Sequence, residues 1–170
     1  MKTVVLGPRP SEIEELINRR RRLGLDTYDE VWEGSYHMAP APHSDHGRLD
    51  TELALLLVPL AKAVGMGVWG PLNIGGPEDY RVPDRAVLRA DPHATFVPTA
   101  AVVVEIVSPD DETYEKLPFY ATHGVDEVWV VDRQQQRVDI FALEGDRYAA
   151  VQGSALLRTS GEELVRLIAW

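Results

Sequence analysis

The sequence predicts a mixed α/β or α+β fold, a mixed central sheet flanked by helices, and three observations carry that expectation. A chain of 170 residues holds one domain with a proper core but not two comfortable ones. The hydrophobic period is helical from about Asp45 to Val64 and strand-like in the three segments that follow. From there the central order reads helix, strand, strand, strand, helix, strand, which builds a sheet with helices against it. The expected core spans about 45–133. Residues 1–44 would add a helix and a hairpin, and 134–170 a hairpin and tail.

Each element has its own signal. "SEIEELINRRRRLG" pairs Ser11 with Glu14 as a capping box and closes on Gly24, a short first helix. "DEVWEGSYHM" is a hairpin turning at Glu33-Gly34. "APAPHSDH" is a Pro-rich connection. From about Asp45 a long helix aligns Leu49, Leu53, Leu56, Leu57, Leu60 and Val64 on one face, with a kink expected at Pro59. "MGVWGPLNIG", "YRVPDRAVLRA" and "AAVVVEIVS" read as three strands, and "PDDETYEKLPFYATHG" as a helix with an acidic first turn. "DEVWVVD" is a further buried strand, and "RVDIFALEGDRYAAVQG" a hairpin about Glu144-Gly145. "SGEELVRLIAW" fits a short helix or a strand equally well.

Composition excludes several classes. The chain has no cysteine, which removes disulfides and thiolate metal sites and fits a cytoplasmic protein. Its start lacks a signal-peptide core, and the longest apolar run is broken by Pro59, so no membrane span is expected. A net charge of −10 opposes loose, charge-driven binding of nucleic acid. No P-loop, dinucleotide fingerprint or Ser/His/Asp grouping stands in a convincing context.

The chemistry concentrates where "VVVEIVSPDDETYEK" sets Glu105 inside an apolar strand. A carboxylate there costs several kcal/mol unless a salt-bridge partner or a cation compensates it. Alternation groups Glu105 with Val103 and Val107, and groups Asp84 with Val82, Ala86 and Leu88. Two inward acids on consecutive strands repel unless a proton or cation lies between them. A hard cation such as Mg²⁺ is held by such a pair. The pattern alone equally fits a salt-bridged Glu105 and a Pro-Asp turn.

"RVPD", then "VEIVSP", then a helix with Lys116 and Tyr120, then "GVDEVWVVD", form an ordered set. It resembles the PD-(D/E)xK nuclease signature, and more specifically the Uma family of restriction endonucleases. The matching positions are Pro83, Asp84, Glu105, Ser108, Pro109, Lys116, Tyr120, Gly124, Val125, Glu127, Trp129 and Asp132. "EGSYHMAPAPHSDH" also resembles the family's hairpin and His-initiated helix, with His46 in the His position. The resemblance covers roughly residues 28–145. It implies a restriction-endonuclease-like fold and a Mg²⁺- or Mn²⁺-dependent endonuclease that hydrolyses phosphodiester bonds of DNA. Asp84, Glu105 and the Ile106 backbone carbonyl would hold the metal, with Lys116 as a catalytic group and Tyr120 in support. His46 and Glu52 are further supporting candidates, although capping and solvation explain them as well. The superfamily's lysine position, two residues after the glutamate, is Val107 here, so Lys116 is expected to replace it from the next helix.

The arginine run 19–22 wraps around its helix and reads as a solvated, salt-bridged end. The aromatic hairpin has apolar surface to cover, and the resemblance implies a homodimer. The rival expectation is a non-catalytic binding or accessory protein that keeps the nuclease fold. Val107 and the acidic charge favour it.

Overall fold

The computed structural model describes residues 3–5, 10–108 and 112–170. The chain runs through β1 (Thr3–Val5), α1 (Ser11–Arg22), the hairpin β2 (Glu30–Trp32) and β3 (Ser35–Met38), and the long helix α2 (Ser44–Ala63). Six short strands follow: β4 (Gly67–Trp69), β5 (Asn73–Gly76), β6 (Asp79–Arg81), β7 (Arg85–Leu88), β8 (Phe96–Val97) and β9 (Val102–Ile106). A 3₁₀ turn (Thr113–Lys116) leads into α3 (Leu117–Thr122) and then β10 (Glu127–Asp132). The hairpin β11 (Arg137–Glu144) and β12 (Arg147–Val151), the pair β13 (Gly153–Ser154) and β14 (Thr159–Ser160), and α4 (Gly161–Leu167) complete it.

The strands form two six-stranded sheets, ordered β1-β3-β2-β6-β5-β8 and β12-β11-β10-β9-β7-β4. In the second sheet β9 and β10 are parallel and the other pairs antiparallel, which makes it mixed as expected. All five residues of β9 are buried, because helices cover both of its faces. Val102, Val104 and Ile106 join Leu49, Leu53, Leu57 and Ala61 of α2 in one cluster. Val103 joins Ala86, Val128, Val130, Phe119 and Tyr120 in another, on the α3 side. Glu105 shares the parity of Val103, so it faces α3.

Several sequence expectations are refined. "MGVWGPLNIG" and "YRVPDRAVLRA" each form two strands, one in each sheet. The breaks fall at Gly70-Pro71 and Pro83-Asp84, where proline has no N–H for a ladder. Asp84 therefore sits at the corner just before β7, not within a strand. The hairpin β2–β3 turns at Glu33-Gly34, both with positive φ (49° and 84°), as a two-residue hairpin requires. It does not hang off the core: Val31 pairs with Tyr80, which carries β2 into the sheet that ends at β6. The Ser11–Glu14 capping box is absent; the Pro10 carbonyl receives the N–H groups of Ile13 and Glu14, and the Ser11 hydroxyl turns to Glu12. Helix α2 continues through Pro59. The C-terminal segment is the helix α4, capped by the Ser160 hydroxyl on the Glu163 N–H at 3.1 Å. No described helix is long and apolar enough to cross a membrane.

Gly75 allows the first sheet to pack closely on α3. Its φ is +113°, and a Cβ there would run into the Asp79 carbonyl and the Phe119 ring.

The helix face is testable. Leu57 is fully buried whereas Leu55 is 67% exposed. Leu57→Ala is expected to lower unfolding free energy by about 2–5 kcal/mol, and Leu55→Ala to stay within about 0.5 kcal/mol, both read from urea denaturation.

Candidate active site

The site lies where β9 runs out of the second sheet. Elements from both of its faces and from the other sheet converge there. The register of β7 and β9 pairs Arg85 with Val104; continued one step, it sets Asp84 opposite Glu105, and a second step sets Pro83 opposite Ile106. Having no N–H, Pro83 cannot bond the Ile106 carbonyl. The Ile106 N–H bonds the Asp84 side chain instead, at 2.7 Å from Oδ2. From α2, His46 places Nε2 at 2.8 Å from the other Asp84 oxygen, and its Nδ1 lies 3.3 Å from Ser108 Oγ. One turn on, Asp50 makes a bidentate pair with Arg85, fixing α2 against the same corner.

Glu105 is held from the opposite face. The Lys116 ammonium donates to both of its oxygens at 3.1 Å, and the Tyr120 hydroxyl donates to Oε1. Lys116 ends the 3₁₀ turn and Tyr120 follows four residues later in α3, so both project towards the end of β9. The chain thus brings Asp84, Glu105, Lys116, Tyr120, His46 and the Ile106 backbone together. Asp110 and Asp111, expected at the helix N-terminus, lie outside the described residues, as does Pro109, expected to end the strand.

Glu52 is the exception among the sequence candidates. Six residues after His46, it projects about 120° away around α2. Its side chain forms no hydrogen bond or ion pair with the described residues. The contacts of α2 at this corner come from His46 and Asp50.

Sequence reasoning missed Glu30. This residue opens β2, is 3% exposed, and lies 2.9 Å from Lys116 Nζ through Oε1. The Val82 N–H bonds the same oxygen at 2.9 Å, and Trp32 Nε1 bonds Oε2 at 2.7 Å. The available signal was a carboxylate at the head of an apolar hairpin, the same anomaly that drew attention to Glu105.

The charges do not balance. Glu105 and Glu30 both contact one ammonium, and the Asp84 charge acts on it from farther off. Burial pushes the Glu105 carboxyl up to about 8; the Lys116 charge opposes that rise and the charges of Asp84 and Glu30 add to it. Burial disfavours the Lys116 ammonium as well, yet Glu105 and Glu30 outweigh it and hold lysine above its ordinary range. The two directions compete over one contact. Lys116 keeps its charge because Glu30 supports it independently, and the surplus negative charge falls on Glu105. The Tyr120 hydroxyl is driven well above its usual range by burial and the nearby carboxylates, so it stays a donor.

These donors suit a hard divalent ion: two carboxylates, a carbonyl without a ladder partner, and excess negative charge. Among the described residues no three His, Asp or Glu side chains already form a metal cluster. Binding would require Glu105 to give up part of its contact with Lys116.

A mixed sheet with a Pro-Asp corner, a buried glutamate ending the adjacent strand and a lysine from the next helix is a restriction-endonuclease-like arrangement. The chain belongs to the Uma2 family, described as "Putative restriction endonuclease", whose model matches residues 20–168. A solved structure from Anabaena variabilis, titled "a putative nuclease belonging to DUF820", superposes with a TM-score of 0.67. It covers 82% of this chain and 90% of its own at 17% identity, a likeness of fold. No curated protein matches. Family membership supports a nuclease function in general.

The electrostatic surplus has a pH consequence. A carboxyl whose folded-state pKa lies above its unfolded one adds stability below the unfolded value, 4.5, and loses it as pH rises towards 8. In chelator, the wild-type protein is expected to lose stability relative to Glu105→Gln across that window, measured by urea denaturation at stepped pH.

Proposed function

We infer that the protein is a divalent-metal-dependent phosphodiester hydrolase acting on DNA. The observation that carries this reading is the Lys116 ammonium lying 3.1 Å from both oxygens of Glu105, beside the Pro-Asp corner. Asp84, Glu105 and the Ile106 carbonyl would hold Mg²⁺ or Mn²⁺. When bound, the ion supplies charge neutralisation at the phosphate and lowers the pKa of a water.

The remaining work belongs to this chain's side chains. Lys116 orients the attacking water and offsets negative charge developing on the phosphate. Tyr120 fixes one oxygen of Glu105, and His46 fixes Asp84 through Oδ1. A lysine arriving from the helix after β9 performs the part that Val107, on the strand itself, cannot. We further propose a single catalytic domain, with its core at about 45–133, acting in the cytoplasm as a homodimer.

The rival is a non-catalytic accessory protein with the same fold. One observation favours it: both oxygens of Asp84 and both of Glu105 are already engaged by protein groups.

Cleavage of a panel of double- and single-stranded DNA and RNA, with Mg²⁺, Mn²⁺ or chelator, separates the two. Metal-dependent cleavage of DNA is expected. Lys116→Met is expected to lower it by about 10²-fold or more, with the fold retained by circular dichroism. Light scattering of the same preparation is expected to return twice the monomer mass. No cleavage of any substrate with either metal would leave the accessory reading.

A further inference from the structure

Glu30 has no assigned part in the reading above, yet it contacts the group on which that reading depends. We propose that Glu30 is a positioning residue that holds the Lys116 ammonium when Glu105 turns to another partner. The inference rests on the proposed role of Glu105 in binding a cation.

The geometry gives Lys116 two carboxylate supports of different kinds. Glu105 offers both oxygens at 3.1 Å, and the same oxygens are wanted by any cation at the end of β9. Glu30 offers Oε1 at 2.9 Å. Its carboxylate is fixed independently of Lys116, by the Val82 N–H and the Trp32 indole, at 2.9 and 2.7 Å. Trp32 belongs to β2 of the first sheet and Val82 directly follows β6 of that sheet, whereas Glu105 belongs to the second. A shift of Glu105 therefore leaves the Glu30 anchor in place. With Glu105 alone, Lys116 would lose its partner at the moment its position matters. A long, flexible ammonium without a partner is strongly disfavoured at 9% exposure and would swing towards water.

The indole is part of the device. Trp32 stacks on His37 with ring centroids 4.8 Å apart, and the Arg81 guanidinium lies 4.3 Å from the indole ring. Arg81 is in turn 4.1 Å from the Phe119 ring, one residue before Tyr120. Glu30 is thus set by a packed column that also touches the helix carrying the site.

The chain has three lysines, at positions 2, 62 and 116, which makes the test direct. In protein labelled with ¹⁵N-lysine, the ammonium proton signal lost in Lys116→Met belongs to Lys116. In chelator, Glu105→Met removes the competing carboxylate without any metal. The signal is expected to survive there and to vanish in Glu105→Met with Glu30→Gln. Its loss in Glu105→Met alone, or its survival in the double variant, overturns the proposal. Should Glu105→Met not fold, Glu30→Gln at saturating Mg²⁺, which draws Glu105 away from Lys116, decides. Exchange of the Lys116 ammonium protons with water is expected to accelerate at least about tenfold, and unchanged exchange overturns the proposal. Calorimetry with Mg²⁺ supplies the separate control. Glu30→Gln is expected to bind Mg²⁺ within about threefold of wild type; loss of binding would make Glu30 a ligand and overturn the positioning role. A wild-type protein that binds no Mg²⁺ would sink the metal reading instead, while the result with Glu105→Met in chelator stands on its own.

Discussion

The buried contact of Lys116 with Glu105 and Glu30 is the interaction on which the rest of the structure depends. It joins three pieces of chain that are remote in sequence: β2 in one sheet, β9 in the other and the 3₁₀ turn before α3. Each charge would be prohibitively costly alone, and removal of one partner from such a set costs about 3–5 kcal/mol because the others are left unpaired. Apolar residues of similar size would be cheaper to bury. The arrangement keeps charge where chemistry can use it and locks the relative placement of the two sheets.

The Pro83-Asp84 corner follows from that placement. The chain must leave β6 in the first sheet and enter β7 in the second, and proline ends the first ladder without an orphan N–H. The turn aims the Asp84 side chain at the Ile106 N–H, which a continuous strand would have bonded through backbone. A substitution of side chain for backbone frees the carbonyl beside it. The same corner receives His46 from α2 and the Asp50–Arg85 pair, so one face of the sheet secures Asp84 while the other secures Glu105.

Much of this was legible in the sequence. The buried parity of Glu105, the α2 face through Leu49, Leu53 and Leu57, and the hairpin turn at Glu33-Gly34 are periodicity and turn chemistry, which are local. The division of "YRVPDRAVLRA" between two sheets was not legible, because the pattern of apolar residues continues across Pro83 and nothing local says which sheet each half joins. Glu30 was hidden for the same reason: its partner Lys116 lies 86 positions along the chain, in the 3₁₀ turn before α3. Glu52 drew attention by closeness in sequence to His46, but helical geometry turns it aside. The matched motif also divides by role. Glu127 receives the Trp129 indole at 3.0 Å and the Leu156 N–H at 3.3 Å, and Asp132 receives the Gln135 N–H at 2.9 Å, so these residues serve the fold.

The central claim is that the end of β9 trades an ammonium for a divalent cation at Glu105. A crystal structure with Mn²⁺, located by anomalous scattering, tests it most directly. The account predicts a peak bounded by Asp84, Glu105 and the Ile106 carbonyl, with the Lys116 nitrogen withdrawn from at least one Glu105 oxygen and still bonded to Glu30. A saturated crystal with Lys116 unmoved on both Glu105 oxygens, and no peak at that corner, would contradict it.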